Sequence, residues 1–594
     1  MAFTSAIQTE GHSPTIGPQG FSEKRKESDM GRTEKDAVVR DSEEIVEDES
    51  KKLAYDHTHR KLKPRHIQLI GIGGTIGTVL YVQIGKALME GGPASLFIAF
   101  IIWLVLIPSL CSLVFRCSLT VLQFPSCELS QKAPFIGLAE MVTYLPISSP
   151  FIRFATRYVD EAFGVAAGYN FFIFQAAMVP FEVTACNLII TYWSDAVPVA
   201  GIIVIVLVLF GLLNIFAVKW YGEAEFWLSL SKVLLSVGLI FFTFIVMLGG
   251  NPLGDRFGFR YWKNPGAFNE YYKTGDLGRW LGFLACLIQA SFTIAGPDYV
   301  SMAAGEAVNP RKILPKAYNG IFYRLTTFFV LGVLCVGILV PYNDPDLAAA
   351  YEKDLPGAAA SPYVVAMDRL NIPVLPHIVN AMVLLAAFSA GNSYVYCASR
   401  SLYGLALDGK APRILTKCTK TGVPIYCVLI VFVFALLAFL QVSNGSAVVL
   451  NWFVNLVTAS QLINFSVITF TYTRFRKALM AQGVPRTSLP YQSRGQPYVA
   501  YIALVSTFVM TFISGYTVFL PGNWDIPTFF FSYTMIGVFP VIYVGWKLWH
   551  RTKFLSPKEI DIVTGVEEVD VYTRNYVEEP SSNAFTRFND MVFG

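Results

Sequence analysis

Gly71-Ile72-Gly73-Gly74-Thr75-Ile76-Gly77 lies inside the first long apolar segment of the chain. Four glycines in seven residues disfavour a continuous helix, each costing about 1 kcal/mol relative to alanine. In lipid the penalty grows, because backbone groups released from a helix find no water to bond. Such a break is tolerated where it faces protein or a wet cavity. Two readings therefore stand side by side: a ligand site built on free backbone groups, or small residues that let two membrane helices pack closely.

The surrounding chain decides the class. Of 594 residues, 54% are hydrophobic and 15% charged, and the mean hydropathy is +0.48. Apolar runs of roughly 20 residues, long enough to cross a bilayer, recur from residue 66 to residue 549. They fall at 66–88, 93–113, 161–193, 199–217, 223–249, 278–303, 319–341, 377–405, 425–441, 447–473, 498–520 and 526–549. The expectation is an all-α polytopic membrane protein with about 12 transmembrane helices. Residues 1–65 are polar and read as a disordered cytoplasmic tail with no cleavable leader; residues 550–594 read as a cytoplasmic C-terminal tail.

Charge sets the orientation. Lys61, Lys63 and Arg65 precede the first span, and Arg153 and Arg157 lie between the second and third. Arg311, Lys312, Lys316, Arg413, Lys417, Arg474, Arg476, Lys477, Lys547 and Arg551 all fall on that same side, whereas the short loops opposite are nearly free of Lys and Arg. The positive-inside rule places both termini in the cytoplasm. A net charge of +4, with its basic residues in short loops, gives no nucleic-acid face. Nine scattered cysteines form no CxxC pair, so neither a disulfide framework nor a metal site is indicated. No nucleophile–base set or phosphate loop stands outside the apolar runs. An enzyme is not expected, and no cofactor is implied.

One stretch does not fit. Between Pro93 and Glu140 the chain needs one span and supplies residues for nearly two. The surplus, at 111–136, carries Arg116, Pro125, Glu128, Lys132 and Pro134, which are expensive at bilayer depth. A further span here would also invert every later loop. It is read as an anomalous insertion that does not cross independently.

A second break pairs with the first. Ser291-Phe292-Thr293-Ile294-Ala295-Gly296-Pro297-Asp298 places glycine and proline inside the sixth span, where proline removes an amide and clashes with the preceding turn. Amides freed at Gly73, Gly74 and Thr75 suit a carboxylate; carbonyls freed near Phe292, Thr293 and Ala295 suit an ammonium group. A proline kink of purely structural origin remains the other reading of this segment. Asp298, ionisable at membrane depth, is a candidate for binding a cationic group or carrying a coupling proton, with backbone capping as its alternative. Glu182, beside Pro180 in the third span, is a second coupling candidate. Glu140, near a span end, is a candidate for the inner gate or for ordering helix ends.

At these residues the chain resembles fungal amino-acid permeases of the amino acid–polyamine–organocation superfamily. The likeness runs through Gly71–Thr78, Ile84-Gly85-Lys86-Ala87-Leu88 and Gly91-Gly92-Pro93-Ala94. It continues in Gly305–Ala317, Ser389-Ala390-Gly391-Asn392-Ser393, Gly409-Lys410-Ala411-Pro412 and Thr473–Ala478, and so covers about residues 60–550. The resemblance implies a LeuT-like fold of two inverted five-helix repeats plus two extra helices, with spans one and six discontinuous. It implies proton-driven import of an amino acid through the plasma membrane, with substrate carboxylate on Gly73, Gly74 and Thr75 and its amino group near Phe292, Thr293 and Ala295.

Departures from the family pattern leave the substrate open. Gly296-Pro297-Asp298 stands where Gly-Thr-Glu is typical, and Asn464-Phe465 where a Trp is usual. Both are similar to the branch linked to carnitine and polyamine uptake and its regulation, so a carnitine or polyamine permease, or a permease-like sensor, is the alternative. Sensors of this kind carry a longer cytoplasmic extension than the 65 residues here. Lysines 24, 26, 35, 51 and 52 of the tail fit ubiquitination machinery as a partner, or plain solvation. Relatives also lack the surplus at 111–136, and its position in the middle of a helix favours translated intron sequence over a genuine insertion.

Overall fold

The computed structural model describes residues 77–103, 133–147, 150–194, 196–216, 218–294, 304, 307–351, 361–419, 422–492 and 495–576. Contacts divide the chain into Met1–Asp56 and His57–Gly594, and every described residue belongs to the second unit. Gly71–Ile76, including Gly73, Gly74 and Thr75, and residues 295–303, including Ala295 and Asp298, lie outside the described residues.

Among the described residues the regular structure is helical, and the described part of each predicted apolar segment is largely helix, with 66–88 and 93–113 sharing one. A π-helical turn, Val79–Gln83, leads into α1 (Ile84–Ile101). There follow α2 (Ala133–Tyr144), α3 (Pro150–Tyr158), α4 (Glu161–Ile190), α5 (Val199–Phe216), α6 (Val218–Met247) and α7 (Asp276–Thr293). Next come α8 (Pro310–Leu339), α9 (Leu375–Leu407), α10 (Ile425–Ala435), α11 (Ser446–Ala481), α12 (Tyr498–Ile513), α13 (Ile526–His550) and a short terminal helix, α14 (Val566–Asn575).

The first and second spans meet within α1. Gly92 leaves the helix at φ 78°, ψ 170°, a conformation open to glycine and strained for other residues. Pro93 starts the next helical piece, where its missing amide is no loss. The groups freed by the break are taken up by one loop: Asn269 N–H donates to Gly91 O at 3.0 Å, Asn269 Nδ2 to Met89 O at 2.5 Å, and Ala94 N–H to Ala267 O at 2.8 Å. Beside this break α1 and α7 touch backbone to backbone. A Cβ added to Gly91 would lie 2.6 Å from Gly282 O and 2.3 Å from Cys286 Sγ. The first and sixth spans are thus held as a pair by two glycines.

At the centre stands α4. In its most apolar window 89% of residues are buried inside the protein, against 11% for α13, which is therefore peripheral. Asp160 caps α4, accepting from Ala162 N–H at 3.0 Å, and its other oxygen receives Lys547 Nζ at 2.5 Å, which ties α13 to the start of α4. The outward face of α5 carries Val204, Ile205, Val208, Leu209 and Leu212, while Ile203, Val206 and Phe210 turn inward. A stripe of this size in water would be an adhesive patch; toward lipid tails it is an ordinary surface.

Helix α8 runs antiparallel to the second half of α1 and on to α2. A Cβ on Gly337 would meet Pro93 Cβ at 2.8 Å, the Phe329 and Phe100 rings lie 6.4 Å apart, and Arg311 Nη2 donates to Tyr144 O at 3.5 Å. Phe329 to Arg311 is about 18 residues, roughly 27 Å of helix; Phe100 to Tyr144 is about 44 residues, roughly 66 Å at the same rise. Between the same two contacts α8 uses about 26 fewer residues than the chain it faces, of which 104–132 lie outside the described residues.

The segment after α13 is not loose. Leu555 N–H donates to Val159 O at 3.1 Å, and Arg474 donates to Leu555 O. Gln482 Nε2 reaches Pro557 O (3.1 Å) and Ile560 O (2.7 Å), and Tyr144 OH reaches Ile562 O at 3.0 Å. Arg157 donates to Asp561 O and Thr564 O, both at 2.7 Å, and pairs with the Asp561 carboxylate at 3.0 Å. Arg311 pairs with Asp570. Ile560, Ile562 and Val569 are buried beneath this strap. Partial burial works to raise the pKa of Asp561, but the amides of Thr564 and Val563 and the Arg157 guanidinium outweigh it and hold the carboxyl below its usual value.

Two outcomes follow from these contacts. Gly91→Val drives a branched side chain into Gly282; overpacking of roughly 1–3 kcal/mol should lower the yield of monodisperse protein in size-exclusion chromatography, and wild-type yield would contradict the close approach. Arg157→Ala removes three strap bonds, so amide exchange across 555–575 should accelerate on the order of tenfold while α4 exchange stays unchanged.

Candidate functional site

The site begins where the first apolar segment becomes helical. Thr78 opens the π-helical turn Val79–Gln83, a local widening that recurs at functional positions. Thr78 Oγ1 donates to Glu182 Oε2 on α4, and both side chains are fully buried. Glu182 Oε1 has no hydrogen-bond partner among the described residues. Gly391 makes room for it, since a Cβ there would stand 3.1 Å from Glu182 Cβ and 2.5 Å from the Phe210 ring, and a Cβ on Gly77 would lie at ordinary contact distance, 3.5 Å, from Glu182 Oε1. The carboxylate therefore sits where the first span, α4 and α9 converge.

Helix α7 ends beside it. Ile294 N–H donates to Ala290 O at 3.1 Å, and Ile294 itself turns out of helical geometry at φ −91°, ψ 73°. The sixth span thus departs from a helix next to Phe292 and Thr293, as the Gly296-Pro297 pair predicts. Phe292 meets Phe181 edge to face at 5.7 Å, one residue before Glu182. Thr293 Oγ1 is spent on Gln289 O at 2.7 Å. Phe292 and Glu182 are brought to one place, Thr293 lies next along the chain, and Glu140 belongs elsewhere.

Lys232 was not among the sequence candidates. It lies in the middle of α6, 1% exposed, and its charge interacts with that of Glu182. Tyr81 OH bonds Lys232 O at 3.1 Å and Ser236 Oγ at 2.6 Å, which fixes this turn of α6 against the π-helical turn. The signal was present: an ionisable residue inside the 223–249 run meets the same test that singled out Asp298. Gln83, also missed, is buried with neither amide atom partnered among the described residues.

Two further polar layers join α4 to α11. Asn170 Nδ2 donates to Ser460 O (2.9 Å) and Asn464 Oδ1 (2.8 Å), with Gln461 buried alongside and unpartnered among the described residues. Near the other end Asn187 Nδ2 meets Ser446 Oγ at 3.0 Å. Glu140, 1% exposed on α2, accepts from Tyr472 OH at 2.6 Å and Arg486 Nη2 at 2.5 Å. That cluster lies at the basic end of the bundle and couples α2 to α11 and the loop after it.

Comparison with known proteins identifies the family. The model of the amino acid permease family matches residues 66–114 and 135–558. The general amino acid permease AGP2 of Saccharomyces cerevisiae is 49% identical over 536 residues, covering 88% of this chain and 86% of that protein. A proline-specific permease of Emericella nidulans is 40% identical, covering 89% and 92%, and a lysine-specific permease of Saccharomyces cerevisiae is 36% identical, covering 90% and 83%. With a TM-score of 0.47 and 10% identity, over 88% of this chain and 98% of the other, a manganese transporter of Eremococcus coleocola is too slight a likeness to bear on the fold. The chain belongs to the amino acid permease family and is an integral membrane transporter.

Proposed function

We propose that this permease imports amino acids through the plasma membrane together with a proton, with both termini in the cytoplasm. The observation that carries the reading is the buried Glu182 carboxylate, one oxygen bonded by Thr78 and the other unpartnered among the described residues, beside the π-helical turn that opens the first helix. A carboxylate so placed takes up and releases a proton as its surroundings rearrange, and the Lys232 charge on α6 biases which form it holds. The amides of Gly73, Gly74 and Thr75 bind the substrate carboxylate, and carbonyls at Phe292, Thr293 and Ala295 bind its amino group. Asp298 binds a cationic group of the substrate or carries the coupling proton, and Glu140 closes the cytoplasmic side by holding α2 to α11. The inverted five-helix repeats expected from the family fit the two breaks in corresponding spans.

Relatives named for general, proline-specific and lysine-specific transport show that this family serves many amino acids on one frame. Uptake in cells lacking their own permeases, competed by neutral, acidic and basic amino acids, carnitine and spermidine, identifies the substrate. Glu182→Gln keeps the Thr78 contact and removes the titrating oxygen. It should reduce gradient-driven accumulation by about tenfold or more while leaving substrate exchange measurable; accumulation at the wild-type level sinks the coupling role.

Residues 111–136 are not part of the transport unit in this proposal. The family match passes over 115–134, and the register along α8 leaves about 26 residues too many between Phe100 and Tyr144. Read-through of an intron accounts for both. Sequencing of the transcript should yield a message without these codons, and a chain lacking them should transport at least as well as the longer one. A message that always retains them, with transport lost on their deletion, overturns the reading.

A further inference from the structure

The run Thr473-Arg474-Phe475-Arg476-Lys477 at the basic end of α11 has three cations, and the contacts described so far use one. Arg474 is engaged by the strap, donating to Leu555 O and standing 4.5 Å from the Phe554 ring. Arg476 and Lys477 instead line a cavity of about 80 Å³ between α11 and the start of α12, with Met480, Pro497, Ala500 and Tyr501. Arg476 Nε and Nη1 are buried and have no hydrogen-bond partner among the described residues. A guanidinium with unmet donors beside a second cation calls for an anion, and its planar fork matches the oxygens of a phosphate. Glu140, bonded to the neighbouring Tyr472, is also paired with Arg486.

The walls say which phosphate. Tyr501, Val505, Phe508 and Phe512 follow one another at helical spacing along α12, exposed by 42%, 61%, 57% and 48%. They form an apolar strip that starts at the cavity and runs into the depth of the membrane. Met480, 64% exposed, stands on the opposite lip. A free phosphate ion would use the cations and leave the strip idle. A phospholipid uses both: headgroup phosphate between Arg476 and Lys477, acyl chain against α12.

The geometry points to a binding site for an anionic phospholipid between α11 and α12, held at its phosphate by Arg476 and Lys477. The net negative charge of the headgroup matters because the two cations exceed the single charge of a zwitterionic lipid's phosphate, which its own choline already balances. The site is remote from Glu182 and its occupancy does not depend on the transported substrate. Its binding is measurable whichever leaflet the basic end faces.

The experiment uses the full-length chain purified in detergent, with phosphatidylserine, phosphatidylcholine and glycerol phosphate added separately. Retained lipid is counted by native mass spectrometry and the unfolding midpoint recorded for each. Phosphatidylserine should bind and raise the midpoint, with phosphatidylcholine and glycerol phosphate far weaker. Arg476→Gln with Lys477→Gln should reduce phosphatidylserine affinity about tenfold or more, as loss of charge-assisted bonds does. The exposed Lys477→Gln alone should show a smaller loss in a chain whose fold it leaves intact. Arg413→Gln, at an exposed position beyond α9, should change nothing. Equal binding by the double variant, equal binding of phosphatidylcholine, or an equal effect of glycerol phosphate overturns the proposal, the last by showing a site for free anions.

Discussion

A carboxylate at the heart of a helix buried on nearly every side is the constraint around which this protein is arranged. Glu182 sits in α4, whose surroundings are protein rather than water or lipid, and an unpaired charge there would be prohibitively expensive. The neighbouring elements answer that demand. Thr78 comes to it from the start of the first helix, Gly391 leaves space beside its Cβ, and Lys232 brings an opposite charge on α6. Positions in four different spans are thus set by one side chain. Moving any of them changes the environment of this buried carboxylate.

The same helix uses polar pairs to fix its register against α11. Asn187–Ser446 and Asn170–Asn464 lie at successive depths of one antiparallel contact. Each bond is worth only about 1 kcal/mol in a membrane, and apolar surfaces could slide past one another without them. Their value lies in choosing one alignment. The layer at Asn464 is an amide network, with Asn170 Nδ2 bonding both Ser460 O and Asn464 Oδ1, so this interface is held by bonding geometry.

Helices were legible in the sequence because a span needs about 20 apolar residues, and that signal survives any arrangement of neighbours. Glu182 was legible for the complementary reason, as a charge where charges are costly. Lys232 met the same criterion and was passed over, its run being read for hydropathy alone. Other features had no sequence signal of their own. Gly91 and Gly282 gain meaning only when they touch, since glycine by itself does not say whether it bends, caps or packs. The strap is polar and its bonds go largely to backbone carbonyls, for which any residue would serve. Reading 550–594 as a tail reflected composition correctly and missed that Arg157, Arg474 and Gln482 wait to receive it.

That strap gives the protein a fixed order of assembly. Tyr144 bonds Ile562 across 418 residues of chain, and Arg157 reaches Asp561 across 404. Helices emerging from the ribosome enter the bilayer one after another, but the basic ends of α2, α3 and α11 stay without these partners until everything through α13 has been made. During that interval Arg157 and Arg474 present free donors at the membrane surface. Closure of the strap is therefore a sign of a finished molecule: a chain stopped before residue 555 would insert its spans and still display the open basic face of an incomplete one.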